Sequence, residues 1–161
     1  MTGADDTAFP LVLLGIGMSG LAGTLVVGGM LARGLYRTLI AIPVMMAMIA
    51  VALVLWGDQL GPTAVLLAVW GLFATAAPVG WWSWVARTFN DEAEAGGGLM
   101  VAVVQCAIAL GSTLGGLLFD THGYASTFLA SAALLVCAAL LTAMTAMTAM
   151  TAAPAGGAAR A

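Results

Sequence analysis

Residues 97–119 read GGLMVAVVQCAIALGSTLGGLLF, an unbroken run without one charged side chain. As a helix such a run rises about 35 Å at 1.5 Å per residue, enough to cross a hydrocarbon core of roughly 30 Å. Four other stretches share its character: residues 9–32, 38–56, 63–86 and 124–144. Charges and turn residues separate them, namely Arg33 to Arg37, Gly57 to Pro62, Arg87 to Gly98 and Asp120 to Gly123. Connections this short join antiparallel neighbours. The whole chain agrees: of its 161 residues 63% are hydrophobic and only 7% charged, against about 25% charged in soluble domains. That mixture excludes a water-soluble globule, and its apolar richness excludes a disordered chain. The expected fold is an all-α transmembrane bundle of five helices, with the lipid bilayer as its solvent. Residues 1–144 form the expected membrane domain, and 145–161 a low-complexity Thr/Ala/Met and Pro/Gly/Ala tail.

Four Lys and Arg against seven Asp and Glu give a net charge of −3. No basic patch could neutralise several phosphates, so nucleic acid is excluded as a partner. Cys106 and Cys137 sit inside apolar runs, where a cysteine acts as a small hydrophobe. No metal or cofactor is expected. The first stretch follows Asp5 and Asp6 instead of a basic segment and is too long for a signal peptide's core, so it is expected to remain in the mature protein. With five spans, all four arginines fall on one side, and Asp5, Asp6, Asp58, Asp120 and His122 on the other. The excess of basic residues on cytoplasmic loops then places the N-terminus outside and the C-terminus in the cytoplasm.

The five stretches differ in kind. The first, third and fourth hold the glycines and polar groups, whereas residues 39–55 and 128–141 contain no glycine. This split predicts an inner set and a lipid-facing outer set. Small residues recur every fourth position at Gly15, Ser19 and Gly23, at Gly20, Thr24 and Gly28, and at Ala107, Gly111 and Gly115. Such seams let helices approach closely, and smooth faces of this kind also suit helices that rock during transport. A second stripe of the fourth stretch, Gln105, Ala109, Ser112 and Gly116, points elsewhere. An amide at that depth needs a partner helix or a polar cavity. Pro78 is expected to kink or loosen the third stretch. Thr75 and Trp82 share a face with it, while Trp84 reads as part of an interfacial aromatic belt. Gln105, Ser112, Thr75, Trp82 and Ser19 are the cavity candidates, and Gly15, Gly23, Gly111 and Gly115 the packing positions. No Asp, Glu, Lys or Arg lies within a span, and the lone histidine, His122, lies in a loop. The pieces of an intramembrane hydrolase are missing, so the chain does not read as an enzyme. The repeat Thr142-Ala-Met, Thr145-Ala-Met, Thr148-Ala-Met150 matches no helical face, and the fifth helix is expected to fray within it.

Several of these residues also carry a resemblance. Asn90-Asp-Glu-Ala-Glu-Ala-Gly96, then Gln105, Ala109-Leu-Gly-Ser-Thr-Leu-Gly-Gly116, Asp120 and Gly123 resemble the last two helices of the major facilitator superfamily, in its bacterial drug and sugar efflux branch. Gly29-Met-Leu-Ala-Arg-Gly-Leu-Tyr-Arg37 is similar to a degenerate copy of that family's loop between helices eight and nine, with Arg33 where the acid usually stands. The resemblance implies that the five stretches correspond to helices eight to twelve of a twelve-helix transporter, with helices nine and twelve facing outward. It implies a place in the inner membrane and efflux of a small drug-like or sugar-like solute by alternating access, at a site between two halves. The chain would then be an incomplete half, completed by a separate N-terminal half or by self-association. The competing expectation is a non-transporting membrane interaction protein or a truncated remnant.

Overall fold

The computed structural model describes residues 8–89 and 92–152. They form five helices: α1 (Ala8–Arg33), α2 (Leu35–Trp56), α3 (Leu60–Thr88), α4 (Ala93–His122) and α5 (Tyr124–Ala152). All five are long and apolar enough to cross a membrane. Each extends beyond the apolar stretch within it. Only Gly34 separates α1 from α2, because buried Thr38 donates its hydroxyl to the carbonyls of Met30 and Gly34, both at 3.0 Å. These bonds satisfy carbonyls that a helix end would otherwise leave without partners. Helix α3 begins at Leu60 with Pro62 in its first turn, where a missing N–H breaks no helical bond. It continues through Pro78 to Thr88 without interruption, as α2 continues through Pro43.

Helix α4 takes up Gly96 from the expected connection together with Gly97 and Gly98. Their lack of side chains has a use. A Cβ on Gly96 would stand 3.1 Å from the Phe89 ring, and one on Gly97 3.2 Å from the Trp82 ring. Gly123 ends the helix at φ 79°, a left-handed conformation that glycine adopts without strain. Ser126 then donates to the carbonyls of Leu118 and Gly123 at 3.1 and 2.8 Å, closing the turn into α5.

The largest departure from expectation is α5, which does not fray in the Thr/Ala/Met repeat but runs to Ala152. Ala and Met are strong helix formers. The threonine hydroxyls are satisfied within the helix as well: Thr142 donates to Ala138 at 2.8 Å and Thr145 to Leu141 at 2.9 Å. A three-residue repeat turns about 60° backward per unit, so its threonines spiral around the helix, Thr142 buried and Thr145 exposed. The boundary drawn at residue 144 therefore falls inside a helix. The tail from Pro154, the N-terminal acids Asp5 and Asp6, Asn90, Asp91 and Arg160 lie outside the described residues.

Helix α1 packs on α3, and α2 lies between α3 and α5. Val27, Leu31, Ile42 and Ala76 make the core where α1, α2 and α3 meet. Leu39, Ile42, Ile49 and Leu53 of α2 are buried, and α5 buries the small side chains Ala132, Ala139 and Ala146. Within this unit the expected inner and outer sets do not appear. The glycine-free α2 is the most enclosed helix, with 44% of its most apolar stretch buried, and α4 is the barest, with none. Enclosure here follows from having neighbours on two sides, and the large side chains of α2 fill the space between α3 and α5. The alternating helices bring Arg33, Arg37 and Arg87 to one end of the bundle and Asp58, Asp120 and His122 to the other.

Candidate functional site

Two of the cavity candidates come together, but at a helix seam. On α1, Gly20, Gly23, Val27 and Leu31 are buried, a spacing that keeps one face toward α3. A Cβ on Gly23 would fall on the Leu72 carbonyl oxygen and 2.7 Å from the Thr75 hydroxyl, and one on Gly71 would stand 2.7 Å from the Ile16 carbonyl oxygen. The bare backbones allow two crossing hydrogen bonds. Ser19 donates to the Ala68 carbonyl at 2.6 Å, and Thr75 to the Gly20 carbonyl at 2.7 Å. Bonds of this kind between membrane helices average about 0.6 kcal/mol. A shallow crevice of about 350 Å³ runs alongside, bordered by Gly17, Thr24, Trp70 and Thr75. Gly15 takes no part in the seam, since nothing lies within 4 Å of where its Cβ would be. An every-fourth-residue series drifts about 40° per step, which carries Gly15 at one end and Gly28 at the other away from the contact.

Gln105 and Ser112 stand apart from this seam, on α4. Every residue from Val101 to Leu114 is exposed. Gln105, the one Asn or Gln inside an apolar stretch, therefore projects from an uncovered helix. Ser112 donates back to its own Ile108 carbonyl at 2.7 Å, which leaves its oxygen free to accept. The two packing glycines of α4 separate as well. Thr127 of α5 donates to the Gly115 carbonyl at 3.3 Å, whereas nothing lies within 4 Å of a Cβ on Gly111. Gly111 thus abuts no neighbouring helix here, because α4 meets α5 near Gly115 and Leu118 and meets α3 only near its start.

Trp82, half-exposed, lies over Gly97 at that start. It is the α3 candidate nearest to α4, while Thr75 two turns away belongs to the α1 seam. Trp84 is part-buried, and its indole N–H points to the Tyr36 hydroxyl of α2 at 3.4 Å. Its ring also meets Trp81 and Phe89 edge-on, at centroid distances of 6.0 and 6.1 Å. Beside it lies a second crevice, of about 270 Å³, between α2, α3 and α5. The sequence did signal this cluster: Tyr36 adjoins Arg37, and Trp84 stands one turn before Arg87. Matched aromatic and basic residues thus occur at the ends of two antiparallel helices. Both cysteines are free and exposed. Among the described residues no group of three His, Cys, Asp or Glu could hold a metal ion.

No family model and no solved structure matches the chain. Among curated proteins it is 56% identical over 142 residues to the transcription regulatory protein OpdE of Pseudomonas aeruginosa, a match covering 88% of this chain and 35% of that protein. It is 34% identical over 143 residues to the purine ribonucleoside efflux pump NepI of Salmonella paratyphi B, covering 89% of this chain and 36% of the pump. The NepI of Salmonella typhimurium gives the same identity and coverage. The chain therefore spans about a third of the length of the curated relatives it matches. Neither relative is named as an enzyme.

Proposed function

We propose that this chain forms the C-terminal part of an efflux transporter of the major facilitator type, working by alternating access on a small polar solute. The observation that carries the proposal is the bare middle of α4, which presents the membrane-depth amide Gln105 and the Ser112 oxygen on a surface that no other helix covers among the described residues. An apolar wall with one or two polar groups suits a solute that must bind weakly enough to be released. The similarity to a purine ribonucleoside efflux pump makes nucleosides the first substrate class to try. A glutamine amide pairs a donor with an acceptor, the pattern that matches a purine edge. In this proposal the uncovered side of α4 faces the rest of the transporter, an N-terminal half or a second copy. The apolar stretches hold no carboxylate, so any proton coupling would come from that other part.

A second proposal draws on the relative named as a transcription regulatory protein. This portion has few cations and five membrane-length helices, so a regulatory effect would be exerted from the membrane and not by contact with DNA. An inert remnant remains the other non-transporting outcome.

The deciding experiment measures release of a radiolabelled purine ribonucleoside from cells making the chain alone, the chain with the N-terminal part of a NepI-type pump as a separate polypeptide, or neither. Release only from the paired polypeptides, lost in Gln105→Leu, is the expected result. Release by the chain alone would overturn the incomplete-half proposal. No release from the pair, with both polypeptides folded in the membrane, would overturn transport in favour of the second proposal.

A further inference from the structure

We propose that the methionines of the Thr/Ala/Met repeat, Met144, Met147 and Met150, bind a soft monovalent cation, Cu(I) or Ag(I), through their thioether sulfurs. This inference is independent of transport. All three side chains are exposed, at 59, 60 and 76%. They stand on consecutive turns because α5 runs unbroken through the repeat to Ala152. Residues three apart on a helix have Cβ atoms about 5–6 Å from one another, and the unbranched methionine side chain turns freely about its bonds. Met147 therefore has a second sulfur within reach on either side, from Met144 one turn before it and from Met150 one turn after, and two thioethers can close on one ion. Thr142 and Ala146 take the buried positions of these turns, so α5 packs without using the three methionines.

The donors choose the metal. Thioether sulfurs are soft and select Cu(I), whereas carboxylate and carbonyl oxygens suit hard cations such as magnesium and calcium. Silver(I) shares the charge and the softness of Cu(I). The hydroxyls between the methionines turn back onto the helix, Thr145 donating to Leu141, Thr148 to Thr145 and Thr151 to Thr148, each at 2.9 Å. Depth favours this repeat over the other methionines. Thr145 borders the same crevice as Tyr36 and Trp84, near the arginine-bearing end of the bundle. Met147 and Met150 stand about 3 and 7.5 Å further along the axis, past the apolar stretch that ends at residue 144. Water can deliver an ion there. Met18, Met45 and Met48 are exposed as well, but they lie within the apolar stretches 9–32 and 38–56, where a cation is costly.

Silver titration tests the proposal. The full chain, with Cys106→Ala and Cys137→Ala so that no thiolate competes, is reconstituted in phosphatidylcholine nanodiscs with 13C-labelled methionine methyl groups, and Ag(I) is added as the nitrate in chloride-free buffer. The expected result is saturable binding in which the methyl resonances of Met144, Met147 and Met150 shift while those of Met18, Met45 and Met48 stay in place. Met147→Leu keeps the bulk and the helix propensity but removes the sulfur common to both pairs. It should weaken binding by at least the roughly tenfold that loss of a mere outer-shell partner costs. Met144→Leu and Met150→Leu each leave one pair intact and should weaken it less. Should the cysteine-free chain fail to fold by circular dichroism, the native chain with both thiols alkylated takes its place. Absence of saturable binding, equal shifts at Met45 and Met48, or a Met147→Leu variant that binds as tightly as its parent overturns the proposal.

Discussion

Replacing Gly23 by Ala adds one methyl group where α1 and α3 have no room for it. The new Cβ would fall on the Leu72 carbonyl oxygen and 2.7 Å from the Thr75 hydroxyl, so the helices must separate. Overpacking of this kind costs about 1–3 kcal/mol. Separation also weakens the Ser19 to Ala68 and Thr75 to Gly20 hydrogen bonds, each about 0.6 kcal/mol and together about 1. Ala is the better helix former by about 1 kcal/mol, which offsets that loss. The net expected destabilisation is therefore about 1–3 kcal/mol. Gly15→Ala is the matched control, since nothing lies within 4 Å of its Cβ position, and it should be neutral or stabilising by up to about 1 kcal/mol. Reversible unfolding in mixed micelles, followed by circular dichroism and by the fluorescence of Trp70 beside the seam, gives both values. The reasoning is refuted if Gly23→Ala lies within about 0.5 kcal/mol of the native chain, or if Gly15→Ala is the worse of the two.

Thr75→Val keeps the shape and removes the donor, so it should cost about 0.5–1 kcal/mol in the same assay. Gly111→Leu should leave the stability of the isolated chain within about 0.5 kcal/mol, because it has no neighbour to displace, and should reduce folded yield only once the rest of a transporter is present. Gln105→Cys, with Cys106 and Cys137 replaced, should react with a water-soluble thiol reagent in the paired transporter, and protection in every state would return Gln105 to a packing role. Reporter fusions should place Gly61 outside and Arg37, Ala95 and Ala161 in the cytoplasm, as arginines on one side require.

The number and type of elements were legible because bilayer-length apolar runs leave few alternatives. Boundaries were less so. The sequence marks where charges begin, but helices continue past them while hydroxyls such as Thr38 and Ser126 satisfy the terminal carbonyls. The repeat of α5 was misjudged because a three-residue period hides a helix when Ala and Met supply propensity without a face. Which glycines matter was only partly visible. Gly23 and Gly15 belong to the same spacing series, and only the crossing point of α1 on α3 separates the crowded one from the open one. At Ser19 and Thr75 the residue types were informative, but side-chain chemistry alone does not say whether a hydroxyl meets a carbonyl or a cavity. The residues of α2 show the converse: without glycines or polar groups they looked peripheral, yet their bulk fills the space beside α3.

The pairing of α1 with α3, and of α2 with α5, has a consequence for biogenesis. Neither α1 nor α2 finds its main partner in the next helix to be made. Each must wait in the bilayer, α1 until Thr75 is inserted and α2 until Ala139 and Thr142 follow. Waiting is possible because a helix satisfies its own backbone in lipid. Until Ala68 arrives, Ser19 can donate to Ile16 within its own turn. Of these five helices the one made last is thus the one that closes α2, and the larger chain loop it spans adds only a logarithmic entropy cost. A ribosome that stopped before α5 would release four well-formed helices with one side of α2 still facing lipid, a product to be recognised by its missing contacts and not by any unfolded segment.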